Sequence, residues 1–554
     1  MNFIIREYIS ILKEDGELDS LLADLFFEQG FTIKYKPEKG RQYGVDILAE
    51  KKEKGKTSGI KIVTVKRGNI NRNAWDGNSN AVKQSIEDII DTYIPTHLTK
   101  REQKLPITIT LSTNGNISQN LNLVWTAFKE KYNKKNITID FLGIDDISSQ
   151  INEEFLFDTL LDNENQALFR KTLAFMDLTD YHYHHYTQLL DALFSKTLSR
   201  KRDLQKLLRL IKLLLDLMYK WSEDVGNLKS AVTLSHITLL KAYNYLAINK
   251  KLNLKYAQEE YFKIYELSRL IAVGYYNKVS DHYFVEQSIQ RYSRNHLEYG
   301  LRSWKELGLL SLLGHFELQQ YWASLQSKNE NGQKTFLGSM SNVSEALTTF
   351  IDKNPSLNYP LYDDHLIEFN IAMQFLRMYQ KDEFCIQWIN KILISLHNQY
   401  RIKKLFPLFR QDYEKLVDIY FGKSEQKLES SMLLASMLDW CVILKSEDTY
   451  NKVVDLIDLL DEKISIQTWY PTSETVEICL LKNYSRESGN VFSFKKVPSF
   501  QEYKKTLIEL KEKFVKAEEF KPFASGMEVL HHISSFHFKQ LPLPYFSHRL
   551  VKDE

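Results

Sequence analysis

The chain lacks most of the features by which a function is usually read. Its three cysteines, Cys385, Cys441 and Cys479, stand far apart and form no CxxC pair, which excludes a thiolate zinc site and argues against a disulfide framework. Charge of one sign is missing too. Across 554 residues the formal net charge is +2, so any nucleic-acid contact must come from a local patch. No apolar run approaches the ~20 residues of a membrane span; the most apolar helical stretch, Leu207 to Met218, is interrupted by Arg209, Lys212 and Asp216. The first residues, Met1-Asn2-Phe3-Ile4-Ile5-Arg6-Glu7, gain charge too early for a signal-peptide core. The expectation is a cytoplasmic, reduced protein with no membrane part. GxxxxGK[ST], GxGxxG and GxSxG do not occur, so ATP-driven, Rossmann-type and serine-hydrolase chemistry have no local support.

What is present changes character near residue 150. Before it, helical and strand patterns alternate. Glu17 to Gln29 carries Leu18, Leu21, Leu22, Leu25 and Phe26 at helical spacing and stops at Gly30. Strand-like runs follow at Phe31 to Tyr35, Gly44 to Ala49 and Ile60 to Lys66, with the charged segment Lys51 to Gly59 expected as a hairpin loop. A helix from Asn80 to Tyr93, ended by Pro95, precedes a strand at Ile107 to Leu111 that Asn114-Gly115 closes. A helix at Leu121 to Tyr132 then leads to a strand at Ile137 to Leu142. The order α-β-β-β-α-β-α-β predicts a mixed sheet containing a hairpin and flanked by helices, because short loops join the early strands.

After Asp145-Asp146 strand signals nearly vanish, and no proline occurs between Pro106 and Pro355. Leu204 to Trp221, Ser235 to Leu246, His365 to Tyr379 and Ser431 to Leu444 carry apolar residues at helical spacing. The fold class expected is therefore an α+β mixed-sheet domain over residues 1–150, followed by an all-helical, repeat-like scaffold over 151–554 in one or two subdomains. No fixed period emerges. Tyrosine and phenylalanine, at 31 each, are expected mostly between helices, as at Tyr275-Tyr276, Tyr283-Phe284 and Tyr292. The segment Leu541 to Phe546 is apolar enough to be expected to dock on the helical body.

The residues with chemical promise lie on the hairpin. Side chains alternate along a strand, which puts Thr64 and Lys66 on one face, and pairing with Gly44 to Ala49 brings Asp46 beside it. Phosphodiester hydrolysis needs a carboxylate to hold Mg²⁺, which polarises the phosphate and activates water, and a nearby lysine to orient that water. Positive charge at Lys61, Lys66, Arg67 and Arg72, near Trp75, suits phosphate contacts. Trp75 is either a base-stacking wedge or a buried loop anchor, the latter favoured. Lys51, Lys52, Lys54 and Lys56 alternate with acids and read as a solvated hairpin tip. Tyr181-His182-Tyr183-His184-His185-Tyr186 lacks a ligand spacing such as HExxH, and His531-His532 and His537 read as packing or surface residues. Cys385 beside Trp388 and Cys441 beside Trp440 read as buried thiols.

On these residues the sequence resembles the Mrr-like branch of the PD-(D/E)xK restriction-endonuclease-like superfamily. The matching positions are Asp19 on the first helix (or Glu17), Gly30-Phe31, Gly44-Val45-Asp46, Thr64-Val65-Lys66, and Gln84 on the following helix. The resemblance covers only the first ~150 residues. It implies a metal-dependent nuclease, with DNA ahead of RNA as substrate, in a bacterial restriction or anti-phage setting. Asp46, Asp19 or Glu17 and the Val65 carbonyl would hold Mg²⁺ or Mn²⁺, Lys66 would assist the water, and Gln84 and Arg67 would orient substrate. A homodimer or higher oligomer is expected because duplex cutting usually needs two sites, with a protein or small-molecule trigger at the helical region. Thr64 stands where the family has glutamate or glutamine. The alternative reading is an inactive nuclease fold that binds nucleic acid, with the helical part as a protein-interaction scaffold.

Overall fold

One hairpin sets the geometry of the first part of the chain. In the computed structural model, which describes residues 2–35, 43–53, 56–77, 81–134, 136–151, 163–178, 182–196, 198, 200–409, 411–426, 428, 430–460, 464–470, 490–494, 496–514, 527–539 and 547–551, strands β2 (Ile47–Glu53) and β3 (Lys56–Lys66) pair antiparallel. Their register sets Ile47 opposite Val63 and Glu53 opposite Lys56. Much of the segment expected as a loop is thus strand. Its charged side chains are exposed while the backbone still pairs, because hydrogen bonding along a hairpin does not need an apolar face.

Strand β1 (Phe31–Tyr35) lies antiparallel to β2. Strands β4 (Ile107–Thr113) and β5 (Ile137–Leu142) continue the sheet parallel to β3, giving the order β1-β2-β3-β4-β5. A parallel neighbour requires a crossover. Two are built here: α3 (Arg72–Asp76), α4 (Val82–Asp88) and α5 (Ile94–His97) between β3 and β4, and α6 (Asn122–Tyr132) between β4 and β5. The mixed sheet with flanking helices is the architecture expected from the alternation.

Pro95 does not end the second helix as expected. The ladder widens to a π-turn over Ile89–Tyr93, and Pro95 then enters the first turn of α5, where its missing N–H is not demanded. Ile60, Ile62, Ile86, Ile109, Leu111 and Phe128 fill the core on this face. Ahead of the sheet come α1 (Asn2–Ile11), a kinked segment at Glu14–Leu18, and α2 (Asp19–Glu28); α7 (Ile144–Ile151) follows β5.

The chain divides into two compact units, residues 1–234 with 251–264, and residues 235–250 with 265–554. Besides the sheet, the first unit holds α8 (Asn163–Phe175), α9 (His184–Phe194) and α10 (Lys201–Asp224). Helix α10 grips the α1–α2 segment through polar contacts: Tyr8 Oη donates to Asp216 at 2.8 Å, Lys220 meets Glu17 at 3.4 Å, and Arg209 meets Glu28 at 3.3 Å.

In the second unit, α13 (His296–Gln326) packs against α14 (Glu330–Lys353) and α15 (Leu366–Met378), while α18 (Met432–Ile443) packs against α19 (Glu447–Leu459). Of the aromatic residues expected between helices, Tyr283 is buried, while Phe284 and Tyr292 are exposed. Tyr275 and Tyr283 both donate to the Glu306 carboxylate, at 2.8 and 2.9 Å. The region is not wholly helical, which corrects the expectation. A three-stranded sheet joins β6 (Ser430–Ser431), β7 (Ser465–Tyr470) and β8 (Asn490–Phe494), and Ile466 supplies its buried face. Cys385 and Cys441 are buried and burial pushes both thiols up. Cys479 and the segment Leu541 to Phe546 lie outside the described residues. Among the described residues no helix is long and apolar enough to cross a membrane.

Candidate active site

The site is built where β3 ends. Asp46 precedes β2, and its N–H donates to the Val63 carbonyl at 2.8 Å, which anchors it to the neighbouring strand. Its carboxylate Oδ2 accepts the Val65 N–H at 2.6 Å. The hairpin thus brings Asp46 against the Thr64-Val65-Lys66 segment, as the spacing predicts. In an extended strand a residue's N–H and C=O leave on the same edge, so the Val65 carbonyl also leaves β3 on the Asp46 side. Two residues before Asp46, Gly44 packs its backbone tightly against α4. It has φ +78°, and a Cβ there would stand 2.6 Å from the Ser85 carbonyl oxygen on α4.

Lys66 closes β3, and its ammonium meets Glu14 Oε1 at 3.1 Å. Sequence reasoning missed Glu14. The helix expected to begin at Glu17 is preceded by a short segment broken at Asp15 and at Gly16, whose φ is +80°, and this break carries Glu14 to the strand end. Asp-Gly inside an acidic run was the available signal. The two carboxylates named from sequence have other partners. Glu17 accepts the Lys13 N–H at 2.9 Å and pairs with Lys220, while Asp19 accepts the N–H of Ser20 at 2.6 Å at the start of α2.

Burial pushes the Asp46 carboxyl up to about 6, and the Glu14 charge adds to the rise. The Val65 N–H and the Lys66 ammonium oppose it, with a smaller contribution from Thr64. That threonine is fully buried and its hydroxyl falls short of a hydrogen bond. Beside the Asp46 carboxyl Thr64 brings only a neutral, fully buried hydroxyl, where the family has a charged or amide ligand.

Three further sequence candidates are corrected. Trp75 is 1% exposed and packs edge-on against Trp125 and Phe128, with centroids 5.7 and 4.9 Å away; it is core and cannot stack on a base. Lys61 points to the opposite side of β3 from its even-numbered neighbours, with its ammonium over the rings of Phe26 and Phe31 at 4.5 and 5.2 Å. Burial lowers its pKa. Gln84 is exposed on α4 and donates to Asp88 at 2.7 Å, a partner on its own helix. Arg67, next to Lys66, is exposed, and Arg72 is exposed with an i,i+4 partner in Asp76 at 3.3 Å.

Among the described residues no group of three or more histidine, cysteine, aspartate or glutamate side chains is placed to hold a metal ion. That includes His184 and His185, whose rings simply face each other at 3.1 Å. Among the described residues the strand end has two carboxylates, Glu14 and Asp46, and no third. Magnesium keeps several waters and binds through one or two carboxylates plus substrate phosphates. The donor set therefore fits a hydrated Mg²⁺ or Mn²⁺ and does not fit a closed protein cage. A carboxylate whose charge is disfavoured by burial is also one that a cation would stabilise.

Fold and site together define a coarse class: a mixed α/β domain with two carboxylates and a lysine at one strand end, in an otherwise largely helical chain. A scan against protein-family models finds no match, and searches of curated proteins and of solved structures find none either.

Proposed function

We propose that the chain is a metal-dependent nuclease of the restriction-endonuclease-like kind, cleaving phosphodiester bonds in nucleic acid, with DNA ahead of RNA. The observation that carries this reading is the junction itself: Asp46 holding the Val65 N–H at 2.6 Å, with Lys66 and Glu14 paired at 3.1 Å on the same strand end. The strand order, three antiparallel strands ahead of two parallel ones, supports it.

In this reading Asp46 and Glu14 hold the cation, with the Val65 carbonyl on the same edge. The bound metal would polarise the phosphate and lower the pKa of attacking water. Lys66 orients that water and stabilises the charge developing on the phosphate oxygens. Arg67, exposed beside the site, contacts the backbone without reading sequence. A bacterial defence role, a dimer and a trigger acting on the helical region belong to the same proposal.

The buried Thr64 favours one competitor, a nuclease fold that binds without cutting. The purified chain, incubated with plasmid, linear DNA and RNA in Mg²⁺ or Mn²⁺ and in EDTA, separates the two. Cleavage that needs metal and disappears in Lys66→Ala is expected. Binding without cleavage in every condition selects the competitor.

A further inference from the structure

The Glu14–Lys66 pair joins two segments that no strand ladder connects, so something else must hold them in register. Asn114, directly after β4, does this with one carboxamide. Its Oδ1 accepts the Gly68 N–H at 2.6 Å, two residues beyond Lys66. Its Nδ2 donates to the carbonyls of Ser10 at 3.1 Å and Leu12 at 2.9 Å, the latter two residues before Glu14. The side chain is 5% exposed.

The exits of β3 and β4 are closed on each other around it. Thr113 Oγ1 donates to the Gly68 carbonyl at 2.5 Å, and a Cβ on Gly115 would stand 2.5 Å from the Gly68 carbonyl carbon. A cleft of about 410 Å³ opens beside this junction, with Asn114 in its wall next to Asn69, Asn116 and Arg6. Asn114 spends its amide on three protein partners, which makes it a brace for the cleft and not a reader of what enters it.

We propose that Asn114 is a positioning residue: by tying the carbonyls that end α1 to the turn after Lys66, it sets Glu14 against the Lys66 ammonium. This rests on Glu14, Asp46 and Lys66 forming the functional site, but the geometric claim is tested without metal, nucleic acid or activity. The full chain is labelled with ¹⁵N-lysine, and the Lys66 Nζ resonance is assigned by its loss in Lys66→Arg. Glu14→Gln is expected to shift that resonance. Asn114→Ser is expected to shift it to the same place, and to cause no further shift in the Glu14→Gln background. Thr113→Val, which loosens the same turn without touching α1, is expected to leave it in place.

A folded Asn114→Ser variant with the wild-type Lys66 signal overturns the proposal. So does an equal shift in both backgrounds, which would mean that Asn114 does not act through Glu14. Should the serine variant not fold, Asn114→Asp keeps the size and the acceptor for Gly68. The direct effect of its charge appears in both backgrounds and drops out of the cycle. Failure of cleavage in the wild-type protein would remove the nuclease reading and leave this result standing.

Discussion

The Lys66 ammonium stands 3.1 Å from the Glu14 carboxylate, so β3 ends in an ion pair with a residue 52 positions earlier in the chain. Both partners are partly accessible, and an exposed or half-exposed pair adds little to stability, about 0–1 kcal/mol. Its significance is placement: it brings a second carboxylate to the strand end where Asp46 already sits.

Asp46 makes the fold pay for the site. Its carboxyl is raised to about 6, so the folded state holds a proton more tightly than the unfolded chain does. Stability is therefore undiminished below about pH 4, falls as pH rises between about 4 and 6, and carries the full cost above that. The cost is on the order of 3 kcal/mol. Asp46→Asn, whose amide oxygen can still accept the Val65 N–H, should raise the thermal midpoint at pH 7.5 (about neutral) and leave it unchanged near pH 4. Differential scanning calorimetry at the two pH values checks it, and equal stabilisation at both would contradict the assignment.

Three histidines of the second unit should act in the opposite sense. Burial lowers His236 and His531 to about 3 and His315 to about 4. A histidine kept neutral by folding contributes stability that is full above its unfolded value near 6.5 and is lost as pH falls. For three such groups the loss approaches about 4 kcal/mol per pH unit below ~6. Denaturant titrations between roughly pH 7 and pH 5 should show this unit weakening steeply. A flat profile would mean that the rings are hydrated or protonated in the fold.

The buried charges around Arg209 lead to a mutational prediction. Its guanidinium donates to Glu260 at 2.6 and 3.0 Å, meets Glu28 at 3.3 Å, and lies 3.7 Å over the Phe27 ring. Arg209→Met would leave two buried carboxylates short of their partner and should cost about 3–5 kcal/mol. Lys391→Met, which breaks the exposed pair with Asp352, should cost under about 1 kcal/mol. Chemical denaturation of both variants tests the contrast.

Gly44→Ala probes the approach of the turn before β2 to α4. A left-handed backbone and a Cβ 2.6 Å from the Ser85 carbonyl leave no room for a methyl group. A loss of about 1–3 kcal/mol is expected, together with a fall in any Asp46-dependent activity. A variant as stable as the wild type would show that the turn can relax.

Much of this was legible because it depends on local pattern. The period-two runs located the five strands of the first sheet, and helical spacing located α10, α11 (Leu228–Ile248), α15 and α18. Asp46 and Lys66 were legible because one hairpin register decides their meeting. Glu14 was not, since its arrival depends on a break at Gly16 within what reads as one helix start. Trp75 is the buried anchor that its setting favoured, whereas Lys61 was misjudged as a binding residue because the sequence shows its charge but not the side of the sheet on which it lies. The strand β7 was hidden by the helical pattern around it.

The most direct test of the account compares Glu14→Gln with Glu17→Gln and Asp19→Asn in single-turnover cleavage of plasmid DNA at saturating Mg²⁺. Glu14→Gln should lose on the order of 10²–10⁴ in rate, as Lys66→Ala should, while the other two stay within a few fold of wild type. Undiminished cleavage by Glu14→Gln, or loss of cleavage in Asp19→Asn with its fold intact, would contradict it.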